Sequence, residues 1–471
     1  MNDKTLPIAG ASPSRRMVLG GAGLAAGAVF APAIVRAQSL KTKVRLACCG
    51  IGGRGAAVVK DLHETGLAEV VALCDTELGS PRTAEIAGMF PNAARYRDFR
   101  KMFDEKAKDF DAVAIATPDF SHFPIAMQSM AMGKHIYCEK PMGQSFRQIQ
   151  LMMDAERKYK VAAQMANQGH SGAGYFQFDA WTKAGVIKNV TRITAFMNSP
   201  RRWHGKSVSG FLPAQPIPPD LDWDTWQATA TPHDYNFGYL AGEWRSWYDY
   251  GNGALGDWGA HIFDNAHEFL QLGLPTEVES VYVEGHSQFL FPQASTLAFR
   301  FPARKAMPPL ELTWYEGQKN LPPLPADFGE SVVDPNIPPP SAGSIETKRL
   351  APGKVIYGEG MTFKGGSHAS TLEVLGADAK AIMARLPATP PSPSNHAANF
   401  LRAAMGQETC RSRFAVAGPL CQAMALGVIA QRVNGKLSFD PKTRRITNHK
   451  VANGLLNGVT PRKGWEQYYR L

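Results

Sequence analysis

Four glycines in six residues set the tightest limit on how this chain folds. The segment Gly50-Ile51-Gly52-Gly53-Arg54-Gly55 follows the apolar run 44–49 and leads into helix-compatible sequence. Glycines at this spacing let a strand turn sharply into a helix whose N-terminal amides face a pyrophosphate. The pattern alone is weak. Here a second apolar run, 70–74, ends at Asp75, roughly 20 residues past the last glycine, where a ribose 2′-hydroxyl needs an acceptor. Together these parts predict a nicotinamide-dinucleotide site.

The flanking sequence extends that reading to a domain. Apolar runs at 44–49, 70–74, 112–116, 135–138 and 161–164 alternate with helix-patterned stretches. Short buried strands separated by helices imply a parallel, doubly wound sheet. From residue 190 the texture changes, and 192–196, 278–283 and 296–300 alternate apolar with polar residues. Alternation marks a mostly antiparallel sheet with one covered face. Its open face needs a partner, so a homodimer or homotetramer is expected. With 471 residues, two domains are expected: 38–165 for the dinucleotide and 166–471 for substrate and oligomerisation. Proline-rich stretches at 301–343 and 387–394 read as long surface loops.

The first 37 residues read as an export signal. Arg15 and Arg16 form a twin-arginine pattern before a Gly/Ala-rich apolar stretch, and Val35-Arg36-Ala37 offers a cleavage site. This predicts use of the twin-arginine export machinery and a periplasmic or extracytoplasmic location; retention as a membrane anchor is the alternative. No other segment reads as long and apolar enough to cross a membrane. Twin-arginine export carries folded proteins, so a cofactor taken up in the cytoplasm must stay bound. The net charge of +10 includes no Lys/Arg run of five and no aromatic–basic interleaving, which argues against nucleic acid. A scattered basic surface is the plain reading; attraction to acidic sugars or an anionic surface is the other. The six cysteines fit neither a zinc site nor a disulfide ladder.

Three clusters carry chemistry. Thr117, Pro118 and His122 follow the 112–116 run, at the sheet edge where ligands of such folds sit; an ordinary strand-to-helix turn is the alternative. Glu139-Lys140-Pro141 ends the 135–138 run, where a charged pair is costly unless it meets a ligand or partner. Asp257, His261 and Asp264 stand at i, i+4 and i+7, on one face of a predicted helix. General acid–base work, a metal site and a satisfied polar face all fit that triplet; no second His pair or Cys cluster completes a metal site. Six of nine tryptophans fall between 203 and 258, among Arg201, Arg202, Arg245 and Tyr248. Sugar stacking and core packing explain these rings equally well.

The glycine turn, Ala116-Thr117-Pro118, Glu139-Lys140-Pro141 and Gly256-Asp257-Trp258-Gly259-Ala260-His261 together resemble the glucose–fructose oxidoreductase/inositol dehydrogenase (Gfo/Idh/MocA) family. Residues 221–226 and the tail from Phe439-Asp440 to Gly464-Trp465 resemble an exported bacterial branch with an enlarged C-terminal region. The resemblance implies a Rossmann domain plus an α/β domain with an open, mostly antiparallel sheet. It also implies reversible oxidation of sugar or cyclitol hydroxyls with NAD; Asp75 disfavours a 2′-phosphate, and Arg82 is the residue that would admit NADP. By residue match, Lys140 contacts the nicotinamide ribose and the reacting oxygen, His261 is the acid–base group, and Asp257 orients substrate or assists His261. Gly50, Ile51, Gly52, Gly53, Arg54, Gly55, Asp75, Thr117, Pro118, His122, Glu139, Asn167 and Gln168 are expected around the cofactor. Arg201, Trp203, Arg245, Tyr248 and Asp264 are expected around the substrate. Some relatives oxidise transiently to cleave a glycoside without net redox change, so a redox glycosidase or lyase is the second reading. A binding protein without turnover is the third, and the intact Lys140, Asp257 and His261 argue against it.

Overall fold

In the first sheet, near-continuous apolar runs become short parallel strands buried on both faces, as covering by helices requires. The strands are β1 (Val44–Cys49), β2 (Ala68–Cys74), β3 (Ala94–Tyr96), β4 (Ala112–Ile115), β5 (His135–Cys138) and β6 (Ala163–Met165). They lie in the order β3-β2-β1-β4-β5-β6, all parallel. The winding reverses between β1 and β4, the crevice where doubly wound sheets bind ligands. Beyond the carboxyl ends of β1, β4 and β5 come, side by side, the glycine turn, Ala116-Thr117-Pro118 and Glu139-Lys140-Pro141. The order was not written in any one motif; β3, only three residues and partly exposed, carried too little apolar signal to be read.

The computed structural model describes residues 42–329 and 350–471. The expected signal segment, 1–37, and part of the 301–343 stretch lie outside them.

The second sheet contains β7 (Arg192–Met197), β8 (Glu277–Glu284), β9 (Ala294–Phe301), β10 (Leu310–Glu316), β11 (Gly353–Tyr357), β12 (Thr362–Gly366), β13 (Glu373–Leu375), β14 (Lys436–Asp440) and β15 (Arg445–Ile446). Among the described residues its order is β13-β12-β11-β7-β10-β9-β8-β14-β15, antiparallel except where β10 meets β7. The expected loop at 301–343 is thereby corrected. It contains β10, a central strand that buries Leu310, Leu312, Trp314 and Glu316 in strict alternation. The prolines that flank β10 masked a short strand whose partners lie elsewhere in the chain.

A second correction concerns helix Phe414–Val433, which has the length and apolarity of a membrane span. It is mostly buried and packs against helices Phe146–Tyr159 and Gly253–Ile262 and against β8, as the central helix of a folded core does. One cluster of buried apolar side chains joins that helix to strands of both sheets and to Trp465 and Tyr468 of the tail. The tail is fastened by the Arg100 guanidinium, 4.5 Å above the Trp465 ring, and by Gln148, which donates to the Tyr469 hydroxyl at 2.8 Å. All six cysteines are buried and unpaired.

Candidate active site

A cavity of about 460 Å³ lies along the carboxyl edge of the first sheet and runs to the helix Gly253–Ile262. Its first-sheet end is the glycine turn. Gly50 has φ +79°, and a Cβ there would stand 2.6 Å from the Ala116 carbonyl oxygen, so no other residue fits without moving the backbone. The helix that follows, Arg54–Glu64, has no side-chain cap and no acid in its first turn. Its amide end therefore suits an anionic ligand. Asp75 lines the cavity and braces the turn, accepting from the Ile51 amide at 2.8 Å and the Glu77 amide at 2.9 Å. A dinucleotide fits this donor set: glycines that leave the backbone open, a free helix end, and an acid beside it.

In the middle of the cavity, Arg54 Nε donates to Glu139 Oε1 at 2.8 Å, so the glutamate is held by the helix behind the glycine turn. The next residue, Lys140, precedes a cis Pro141 and extends Nζ to the Asp257 carbonyl (2.9 Å) and Oδ1 (2.5 Å). His122 lies beneath, one ring nitrogen 2.8 Å from the Pro141 carbonyl oxygen and the other 2.8 Å from that of Thr117. It ties the two loops together. The helix Gly253–Ile262 faces Pro141 at Gly256, where a Cβ would be in ordinary contact with the proline ring at 3.7 Å.

Asp257 is the hub. Besides Lys140 it takes an ion pair from Arg201 and one from Arg245 at 3.3 Å. Burial alone would raise its pKa; Arg245, Lys140 and Arg201 outweigh it and hold the carboxyl well below its usual range. One turn on, His261 is pushed well below the ordinary imidazole range, by burial first and then by the Lys140 and His368 charges. A neutral imidazole in a cavity can accept a proton. Its Nδ1 is buried without a hydrogen-bond partner.

The ring is instead stacked on His368, 4.0 Å between centroids and 22° apart, while the His368 amide donates to the His261 carbonyl at 2.9 Å. His368 lines the cavity from the turn after β12, with φ +53°. Sequence reasoning missed it, since Gly365-Gly366-Ser367 is the sole local cue and its partner lies about a hundred residues away.

Of the expected residues, Gly50, Gly52, Gly53, Arg54, Asp75, Thr117, Pro118, His122, Glu139, Lys140, Gln168, Arg201, Arg245, Asp257 and His261 line this one cavity. Six do not. Ile51 buries its side chain in the core and offers only its amide, and Gly55 packs under the Gly50 carbonyl. Trp203 is a core residue donating to the Pro292 carbonyl at 2.8 Å. Tyr248 is sealed between Phe291 and Arg432. Asn167 is fully buried, accepting from Ser412 at 2.6 Å. Asp264 fails because the helix ends at Ile262; Phe263 breaks the turn, and Asp264 starts the next helix facing His170 and Asn167. The tryptophans divide as well: Trp226, Trp244 and Trp258 line the cavity, while Trp223 and Trp247 belong to the core.

Residues 44–167 match the family profile for the NAD-binding Rossmann fold of the Gfo/Idh/MocA oxidoreductases, and 183–290 match that for their C-terminal α/β domain. This chain belongs to the Gfo/Idh/MocA family. Among curated relatives, this Gfo/Idh/MocA protein is 28% identical over 153 residues to glycosyl hydrolase family 109 protein 2 of Akkermansia muciniphila, covering 31% of this chain and 32% of that protein. The chain spans about a third of the length of the first curated relatives it matches. Two solved structures share the fold. The WlbA dehydrogenase of Bordetella pertussis, in complex with NADH and UDP-GlcNAcA, is 15% identical with TM-score 0.56, covering 84% of this chain and 99% of that one. Levoglucosan dehydrogenase, in complex with NADH and levoglucosan, is 16% identical with TM-score 0.53 and the same coverage.

Proposed function

We propose that this chain is an exported oxidoreductase that moves a hydride between a sugar or cyclitol hydroxyl and a tightly bound NAD. The observation that carries the reading is the convergence of Lys140, Asp257 and His261 in a cavity continuous with the glycine turn. NADH-bound relatives of the same fold support the cofactor class, and Asp75 favours NAD, because its carboxylate would repel a 2′-phosphate. The nicotinamide, when bound, supplies the hydride acceptor. Everything else falls to the chain. Gly50, Gly52 and Gly53 leave room for the pyrophosphate, and Thr117, Pro118 and Gln168 border the path toward Lys140. Asp257 fixes the Lys140 ammonium, which stabilises negative charge on the reacting oxygen. His261, neutral, accepts the hydroxyl proton. Holding the carbinol against these groups supplies much of the remaining rate.

Export through the twin-arginine pattern of Arg15 and Arg16 requires the cofactor to stay bound and be regenerated by a second carbonyl substrate. Self-association through the open face of the second sheet accounts for Val281 and Tyr282 of β8, which are 57% and 46% exposed.

Redox-assisted cleavage of a glycoside is the second reading, favoured by the glycosyl hydrolase family 109 relatives. The test has two parts. Denaturing the protein purified from the periplasm and identifying released dinucleotide by mass spectrometry should give NAD near one per chain; an empty protein overturns the retained cofactor. Product analysis then separates the readings: oxidised sugar in step with a reduced acceptor for the first, free sugar without net NADH for the second.

A further inference from the structure

The cavity wall around Asp257 carries more positive charge than its carboxylates balance. Asp257 alone meets Lys140, Arg201 and Arg245. Arg245 has one further carboxylate, Asp119 at 3.9 Å, which is itself buried and bonded to Asn252. Arg202, 3.6 Å from Glu243, shares that glutamate with Lys206. Glu139 is committed to Arg54. The buried Glu316 also acts on Arg201, so that among the described residues five cations, Lys140, Arg201, Arg202, Lys206 and Arg245, meet four carboxylates.

Such an imbalance is costly where water is scarce. Arg201 is 4% exposed, its Nε–H has no acceptor, and burial holds its pKa below the ordinary guanidinium value. The pyrophosphate of a dinucleotide does not answer this charge, because it belongs at the glycine turn, where Arg54 and Arg82 stand. An oxidised nicotinamide, itself a cation, widens the imbalance.

The wall has the form of a receptor for an oxyanion. Arg201, Arg202 and Arg245 all line the cavity. Arg245 Cζ lies 4.3 Å from the Trp244 ring centroid, a cation–π contact that holds the guanidinium beside the cavity. Guanidinium edges pair with carboxylate, sulfate and phosphate oxygens in two-pronged fashion. Trp226 and Trp244 line the same cavity, one ring stacked on Trp223 and the other under Arg245, and add aromatic surface beside the arginines.

We propose that the substrate is an acidic sugar, whose anionic group docks on Arg201, Arg202 and Arg245 while its reacting hydroxyl meets Lys140 and His261. The proposal rests on the sugar-oxidoreductase reading for the identity of the site. It adds the charge class that the site selects.

The test is calorimetric titration of the full chain, loaded with NAD, against glucuronate, galacturonate, glucose 6-sulfate and glucose 6-phosphate, each beside its neutral parent sugar. At least one acid should bind about 30-fold or more tightly than its parent, as desolvated charge pairs allow. Arg202→Gln should cut that preference about 10-fold and flatten its dependence on salt. The carboxylate, sulfate and phosphate arms show which oxyanion the arginines take. If every acid binds no better than its parent, or no acid binds, the proposal is overturned. The two readings fail separately. An acid held tightly but neither oxidised nor cleaved leaves the anionic receptor standing and removes the redox reading; turnover of neutral sugars without acid preference does the reverse.

Discussion

Asp257 and Asp264 are seven residues apart in sequence, yet they anchor two polar clusters of opposite character. Around Asp257 stand three cations, a buried His261 Nδ1 with no partner, and an open cavity. Around Asp264, His170 places one ring nitrogen 3.0 Å from the Asp264 carboxylate and the other 2.7 Å from that of Glu268, and Asn167 and Ser412 close the ring of bonds. The second cluster satisfies its hydrogen bonds within the protein, with both His170 nitrogens on carboxylates, and holds helix Asp264–Phe269 against the end of the first domain. The first gathers an excess of cations and leaves polar atoms without partners. A buried polar cluster completed by the protein itself serves the fold, whereas one left incomplete awaits a ligand.

The largest break of this contrast is Lys140→Ala. It should reduce hydride transfer and glycoside cleavage to background, at least ~10³-fold, with thermal unfolding little changed because Arg201 and Arg245 still hold Asp257. Normal turnover in stopped-flow or product assays removes Lys140 from the chemistry. His261→Asn should cost roughly 10²–10⁴ in kcat. Because burial and Lys140 hold the His261 pKa low, the kcat/KM profile of the unmutated protein should stay level down through the usual half-protonation point of an imidazole, about pH 6.5, and fall only in more acid solution. A fall centred at or above pH 6.5 assigns the proton to another group.

Effects in the sealed cluster should appear in stability instead. Asp264→Ala leaves His170 and Asn167 without a shared acceptor and should cost about 3 kcal/mol, read as a lower unfolding midpoint, with kcat within a few-fold. A large loss of kcat at unchanged stability returns Asp264 to the site that sequence alone assigned it. The smallest effect is in pH. Burial opposes a charge on His170, but the bonds to Asp264 and Glu268 prevail and raise its pKa to about 9. The charged ring therefore stabilises the fold fully below the unfolded value of about 6.5, and the contribution fades as pH rises toward 9. Between pH 6 and pH 8 the loss should be about 2 kcal/mol, and His170→Gln should abolish that slope in denaturant titrations.

How much was legible beforehand differs by element. The strands of the first sheet were readable because burial on both faces makes each run apolar throughout; only the three-residue β3 escaped. The alternating strands β7, β8 and β9 were equally clear. β10 was lost among prolines, since a central strand is recognised by its neighbours, which sit in distant sequence. At the site, Lys140 and Glu139 were visible as charges ending an apolar run. Asp264 was misplaced because the i+7 argument assumed an unbroken helix, and Phe263 ends it. Trp203 and Tyr248 were named for a stacking role that the core had already claimed.

The sequence by itself marked the dinucleotide fold, through a glycine turn, an acid at the end of the next apolar run, and the rhythm of strands buried on both faces. It also marked which charged residues end buried strands, because such charges need a reason. Only the tertiary structure decided which polar groups face the cavity. It alone set His368 against His261, gathered Arg201 and Arg245 onto Asp257, and turned Asp264 away. Those outcomes depend on where a helix stops and what packs behind it. They are contacts between residues far apart along the chain, and local pattern carries no record of them.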